Sequence, residues 1–167
     1  MNRKQKGFSL IELLIVVAII LIIAAIAIPN LLRARIAANE ASAVGSTRTL
    51  DTAEITYSST YGTGFAPLAN LGGAAPCVAA AATACLIDPV LTLGTKTGYV
   101  VAAVAATGAG TVASPFQTFE VNATPLSVST GTRAFCSDQS GVVRYNTTGA
   151  AIGTGAGTCA TVVTILQ

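Results

Sequence analysis

Residues 8–28, FSLIELLIVVAIILIIAAIAI, form a nearly unbroken apolar run, and from Leu13 to Ile28 no side chain is polar. As a helix, these 21 residues would reach roughly 31 Å, the thickness of a bilayer's hydrocarbon core. One acid interrupts the run near its start. An ionised carboxylate in hydrocarbon costs roughly 2.5–3.5 kcal/mol on insertion scales. Glu12 therefore implies a counter-charge met inside the apolar layer, since a plain anchor has no use for it. Pro29 closes the run. It lacks an N–H and crowds the carbonyl of Ala25, which predicts a kink there. The alternative is a helix end, with Pro29 in the first turn of a second helix.

From residue 30 to residue 61 the pattern changes. Ile36, Ala43, Leu50 and Tyr57 recur every seven residues, with Leu32, Asn39, Val44 and Thr47 beside them. This spacing predicts one narrow stripe facing a sheet, with Arg33, Arg35, Glu40, Arg48, Asp51 and Glu54 mostly elsewhere. Gly45-Ser46 weakens the middle, and Tyr61-Gly62-Thr63-Gly64 ends the helix. Pro67, Gly72-Gly73, Pro76, Asp88-Pro89 and Gly94 mark residues 65–97 as loop. Five β-rich runs follow, at 99–105, 116–123, 133–137, 142–146 and 161–166, with a turn at Ser137–Gly141. Their short spacing favours antiparallel pairing. The expected class is α+β: a long N-terminal helix whose C-terminal half packs on a small antiparallel sheet.

Charge and cysteines narrow the function. Only 10% of residues are charged, and the net charge of +2 comes from Arg3, Lys4 and Lys6. Beyond residue 7, six basic residues face seven acidic ones, so no basic patch for nucleic acid is evident. There is no histidine, which removes Ser–His and Cys–His nucleophile pairs and His-based metal sites. No P-loop is present, and the GTGAG stretch lacks a strand–helix setting. No enzyme activity, metal or cofactor is expected. The four cysteines, Cys77, Cys85, Cys136 and Cys159, contain no CxxC pair. In an exported domain they read as two disulfides, with three connectivities open. Local loop closure favours Cys77–Cys85 and Cys136–Cys159, and buried free thiols are the alternative. Asn122-Ala123-Thr124 and Asn146-Thr147-Thr148 fit weak glycosylation sequons.

The basic MNRKQKG stretch holds the N-terminus in the cytoplasm and sends the remainder across the membrane. Three readings of the apolar run follow. A signal peptide would be cut after Ala25-Ile26-Ala27, but the run is long for one and Glu12 interrupts its start. A plain transmembrane anchor leaves Glu12 unexplained. The third reading rests on Gly7-Phe8-Ser9-Leu10-Ile11-Glu12 followed by the aliphatic run. Over residues 1–30 this resembles the N-terminus of type IV pilins and related pseudopilins.

The resemblance implies cleavage between Gly7 and Phe8 by a prepilin peptidase and N-methylation of Phe8, with the apolar helix retained. It further implies that Glu12 pairs with the Phe8 α-amine of a neighbouring subunit, a cation that cleavage creates. The implied organisation is a leader at 1–7, a transmembrane and fibre-core helix at 8–29, the amphipathic half of the same helix at 30–61, and a globular head at 62–167. The implied partners are inner-membrane lipid before assembly, the peptidase/methyltransferase, an assembly platform and identical subunits in a helical filament. The implied location is the bacterial inner membrane, then a filament on the cell surface or spanning the periplasm. The filament would serve adhesion, motility or DNA uptake. A pseudopilin of a type II secretion system is the alternative, and a membrane-anchored extracellular binding module is a third reading.

Overall fold

The computed structural model describes residues 8–153, 157–162 and 164–166. Two compact units divide the chain, Met1–Arg35 and Ile36–Gln167. The first element, α1, runs Leu10–Tyr61 and contains Pro29, so no helix end falls at the proline. It stops at Gly62, whose φ of +66° is the left-handed conformation that suits glycine, and Gly62 N–H bonds to Ser58 O at 3.1 Å.

In the second unit, α1 supplies Ala43, Leu50, Ala53 and Tyr57 to a core shared with Tyr99, Val101, Val121 and Phe135. The seven-residue spacing of Ala43, Leu50 and Tyr57 keeps them on one face, as the sequence predicts. The acids depart from expectation. Glu40, Asp51 and Glu54 are buried with the stripe. The reason lies in the spacing: Glu40, Thr47 and Glu54 form a second seven-residue row beside the apolar one, so they point at the same surface.

Residues 65–97 hold more order than a loop. Here lie the short helices α2 (Leu68–Leu71) and α3 (Pro89–Thr92) and the two-residue strand β1 (Thr95–Lys96). Strand β1 pairs with β2 (Tyr99–Ala106) through Thr97-Gly98, both at positive φ. That is the type I′ geometry that matches strand twist. The sheet continues with β3 (Thr118–Pro125), β4 (Ala134–Asp138) and β5 (Arg144–Asn146) as an antiparallel meander in chain order. Between β4 and β5, Asp138 Oδ1 accepts Ser140 N–H at 2.8 Å and Asp138 O accepts Gly141 N–H at 2.9 Å, with Gly141 at φ +69°.

Among the described residues, the run expected as a last strand at 161–166 starts in a 3₁₀ turn, Cys159–Thr161, and pairs only at its end: Ile165 bridges Arg144, Thr164 O accepts Tyr145 N–H at 2.9 Å and Val143 O accepts Leu166 N–H at 2.9 Å. The chain is pinned at Cys159 by its disulfide to Cys136 and by Glu120, whose carboxylate accepts Cys159 N–H and, at 2.6 Å, Thr158 Oγ1. Ile152, Cys159 and Val162 cover Ala134 and Cys136 on the sheet face away from α1.

Glu40 fastens helix to sheet. Its Oε1 accepts Thr132 N–H (2.9 Å), Thr132 Oγ1 (2.9 Å) and Arg133 N–H (3.2 Å), and its Oε2 accepts Arg133 Nε (2.8 Å) and Nη2 (2.6 Å). Burial pushes the Glu40 carboxyl up, but these donors outweigh it and hold it below its ordinary value of 4.5. The stability it contributes is present above 4.5 and is lost as pH falls through its lowered folded value. Glu40→Ala should cost about 3 kcal/mol in urea unfolding, at the lower end for a broken buried pair because Arg133 is partly solvated. Leu50→Ala, a pure cavity, should cost about 2–5 kcal/mol. A loss below about 1 kcal/mol for Glu40→Ala would place the contact among ordinary surface pairs.

Candidate assembly site

The described chain begins at Phe8, which is exposed, and Gly7 with the leader lies outside the described residues. Ser9 precedes α1, and Glu12 occupies its first turn. Glu12 Oε2 accepts Ser9 N–H at 2.9 Å, and Ser9 O accepts Glu12 N–H at 3.1 Å. This is half of a capping box: the acid returns to a backbone donor that the helix leaves unpaired. The S-x-x-E spacing of Ser9 and Glu12 is the sequence signal for this cap. Among the described residues Glu12 has a neutral N–H partner and no counter-charge.

From Leu10 to Leu31 every described side chain is exposed except the half-exposed Ala24. This part of α1 is long and apolar enough to cross a membrane. A surface of leucine, isoleucine and valine this extensive needs a partner of matching chemistry, either lipid or other apolar helices. Pro29 lies within it, exposed, inside the helix.

A profile of the prokaryotic N-terminal methylation motif matches residues 2–28. The chain is 68% identical over 38 residues to the type IV wide pilus major component PilA4 of Thermus thermophilus, covering 23% of this chain and 29% of that one. It is 45% identical over 56 residues to the type IV major pilin protein PilA of Myxococcus xanthus, covering 34% of this chain and 26% of that one. The N-terminal segment of the chain is thus similar to that of type IV pilins. It spans under a third of the length of either matched pilin. No solved structure matches it. Both relatives are pilus components, not enzymes.

The other singled-out residues sit in the second unit. Cys77–Cys85 ties an exposed loop and Cys136–Cys159 ties the C-terminal segment under the sheet, and no described cysteine is free. Among the described residues no group of three or more His, Cys, Asp or Glu converges as a metal site. Asn122 is buried in β3 between two strands, and its amide donates to Gly153 O at 3.4 Å, so the folded chain does not present that sequon. Asn146 is half-exposed, and its amide donates to Ala150 O at 2.7 Å.

The two disulfides close separations of 23 and 8 residues. By loop-closure entropy, Cys136→Ser with Cys159→Ser should cost about 3–4 kcal/mol, and Cys77→Ser with Cys85→Ser about 2–3 kcal/mol. Denaturant unfolding of the two double variants should rank them in that order. The reverse order would contradict the view that the C-terminal segment depends on its bridge.

Proposed function

We propose that this chain is a type IV pilin, made as a single-pass precursor of the bacterial inner membrane and polymerised into a type IV pilus. In this reading the 1–7 leader is removed between Gly7 and Phe8, and Phe8 is N-methylated. Segment 8–29 stays in lipid until assembly and then packs against identical helices in a filament core. Pro29 supplies a bending point, since residue 29 offers no N–H to the carbonyl of Ala25. Segment 30–61 and the 62–167 head form the outer part of the subunit.

One observation carries the reading: a carboxylate at the head of the exposed apolar part of α1, met among the described residues only by a neutral N–H. Lipid satisfies the apolar surface but not the acid. A neighbouring subunit satisfies both, because its processed Phe8 brings an α-amine at one depth along the helix. The charge pair would then set axial register as well as attraction, and an unprocessed neighbour would offer no cation there. The partners in this reading are the prepilin peptidase/methyltransferase, an assembly platform and further copies of the chain. The resulting surface filament would serve adhesion, motility or DNA uptake. A type II secretion pseudopilin would share the same N-terminal chemistry, and the two relatives named as pilus components favour the pilus.

Glu12→Ala should leave membrane insertion and Gly7–Phe8 cleavage unchanged. Loss of one buried charge pair should lower the yield of sheared surface filaments by about tenfold or more. Normal filament yield would overturn the proposed role of Glu12. Wild-type chain found in periplasm-spanning structures and absent from sheared filaments would favour the pseudopilin.

A further inference from the structure

Two further acids stand out because nothing in the assembly reading uses them. Glu54 has no exposed surface and Asp51 is 8% exposed. They sit one turn apart on α1, on the face that packs against the sheet. Glu54 Oε2 accepts Ala66 N–H at 2.9 Å, but its Oε1 has no partner. Asp51 Oδ1 also has none, and the buried Ser137 hydroxyl approaches Asp51 from β4 off hydrogen-bond geometry. A buried carboxylate with an unmet oxygen is costly when charged and far cheaper when protonated.

The segment that Glu54 holds leads directly to the sheet. Phe65 N–H bonds to Phe116 O at 3.2 Å, and Phe116 N–H bonds to Thr63 O at 3.0 Å. The Phe65 and Phe119 rings lie 4.7 Å apart. Residues 63–66 thus connect the end of α1 to the start of β3, and the amide of Ala66 is their tie to the helix.

We propose that Asp51 and Glu54 form a proton-operated latch, which holds residues 63–66 against α1 and the Phe116 edge while both carboxyls are protonated and releases that segment when they ionise. The surroundings favour the neutral forms. Burial pushes Asp51 up to about 6; Ser137 and Arg48 oppose the rise and Asp138 adds to it. Burial likewise pushes Glu54 up to about 7; the Ala66 amide, which binds the charged form more strongly, opposes the rise and Asp51 adds to it, so the cost of the buried charge, and not a weaker Ala66 bond, drives the release. From β2 and β3 the core contributes Val101, Phe119 and Val121, which carry no charge. The phenols of the same core are engaged elsewhere, Tyr57 with Ala81 O and Tyr99 with Arg133 O.

The sign follows from the raised values. A carboxyl whose folded value lies above its unfolded one stabilises the fold at low pH, and that contribution is lost as pH rises through the folded value. The window runs from the ordinary 3.8 and 4.5 to about 6 and about 7. Glu40 behaves oppositely, so alkalisation loosens the 63–66 end and leaves the Thr132–Arg133 end fastened.

Hydrogen exchange on the full chain in detergent micelles, corrected for intrinsic exchange, tests this. Between about pH 5 and about pH 8, protection at Phe65, Ala66 and Phe116 should fall on the order of tenfold relative to Arg133 and Phe135. Glu54→Gln should shrink the fall to the part that Asp51 carries, and Glu54→Gln with Asp51→Asn should abolish it. Unchanged wild-type protection, or the same fall in Glu54→Gln, would overturn the latch. Should that variant not fold, infrared spectra in a Glu12→Gln background decide. A protonated-carboxyl band persisting to about pH 6 supports the proposal, and its absence above about pH 5 overturns it.

Discussion

The second unit depends on one carboxylate taken out of water and fully answered. Glu40 receives five hydrogen bonds from two consecutive residues, Thr132 and Arg133, which enter β4. Without them a buried charge would oppose the packing of helix on sheet. With them the β3–β4 connection has one position. The Arg133 guanidinium lies 5.6 Å from the Phe135 ring centre and 5.3 Å from that of Tyr145, adding cation–π attraction that extends the lock to β5. Tyr99 donates to Arg133 O and Asn39 donates to Thr130 O, so β2 and the preceding turn of α1 join the same junction.

Much of this architecture was legible. The apolar run, the heptad of Ala43, Leu50 and Tyr57, and four of the five observed strands follow from period and composition. The misses have particular causes. Glu40 and Glu54 were set aside because charged side chains usually face solvent, yet the Glu40, Thr47, Glu54 row has the same spacing as the apolar row. Strand β1 escaped notice because Thr97-Gly98 is a less common type I′ pair than Asn-Gly. The 161–166 run has strand-like composition and pairs at Thr164–Leu166, but a disulfide and the Glu120 carboxylate turn its start into the 3₁₀ turn at Cys159–Thr161. Local preference loses there to a covalent constraint. At the N-terminus the sequence marks Glu12 within the apolar run, while Ser9 as its backbone partner is seen only in the folded helix.

The two units thus treat their acids differently. Glu12, at the head of an exposed apolar helix, keeps a single neutral contact and is open to a stronger one. Glu40 is saturated. Glu54 lies between these cases, with one oxygen engaged and one not. In each the number of donors within reach decides whether the carboxylate acts as a fixed fastener or remains responsive.

The loop between Cys77 and Cys85 carries a consequence of another kind. Residues 77–83 are all exposed, and the loop is held by the disulfide, by reciprocal Ala80–Thr83 backbone bonds, and by Ala81 O, which accepts from Tyr57 Oη and Asn70 Nδ2. Every noncovalent tether at Ala80 and Ala81 is a main-chain group. The fold recognises the path of the chain there and ignores what hangs from it. Val78, Ala79 and Ala82 are therefore a small canvas on which surface chemistry can be rewritten while the interior stays untouched.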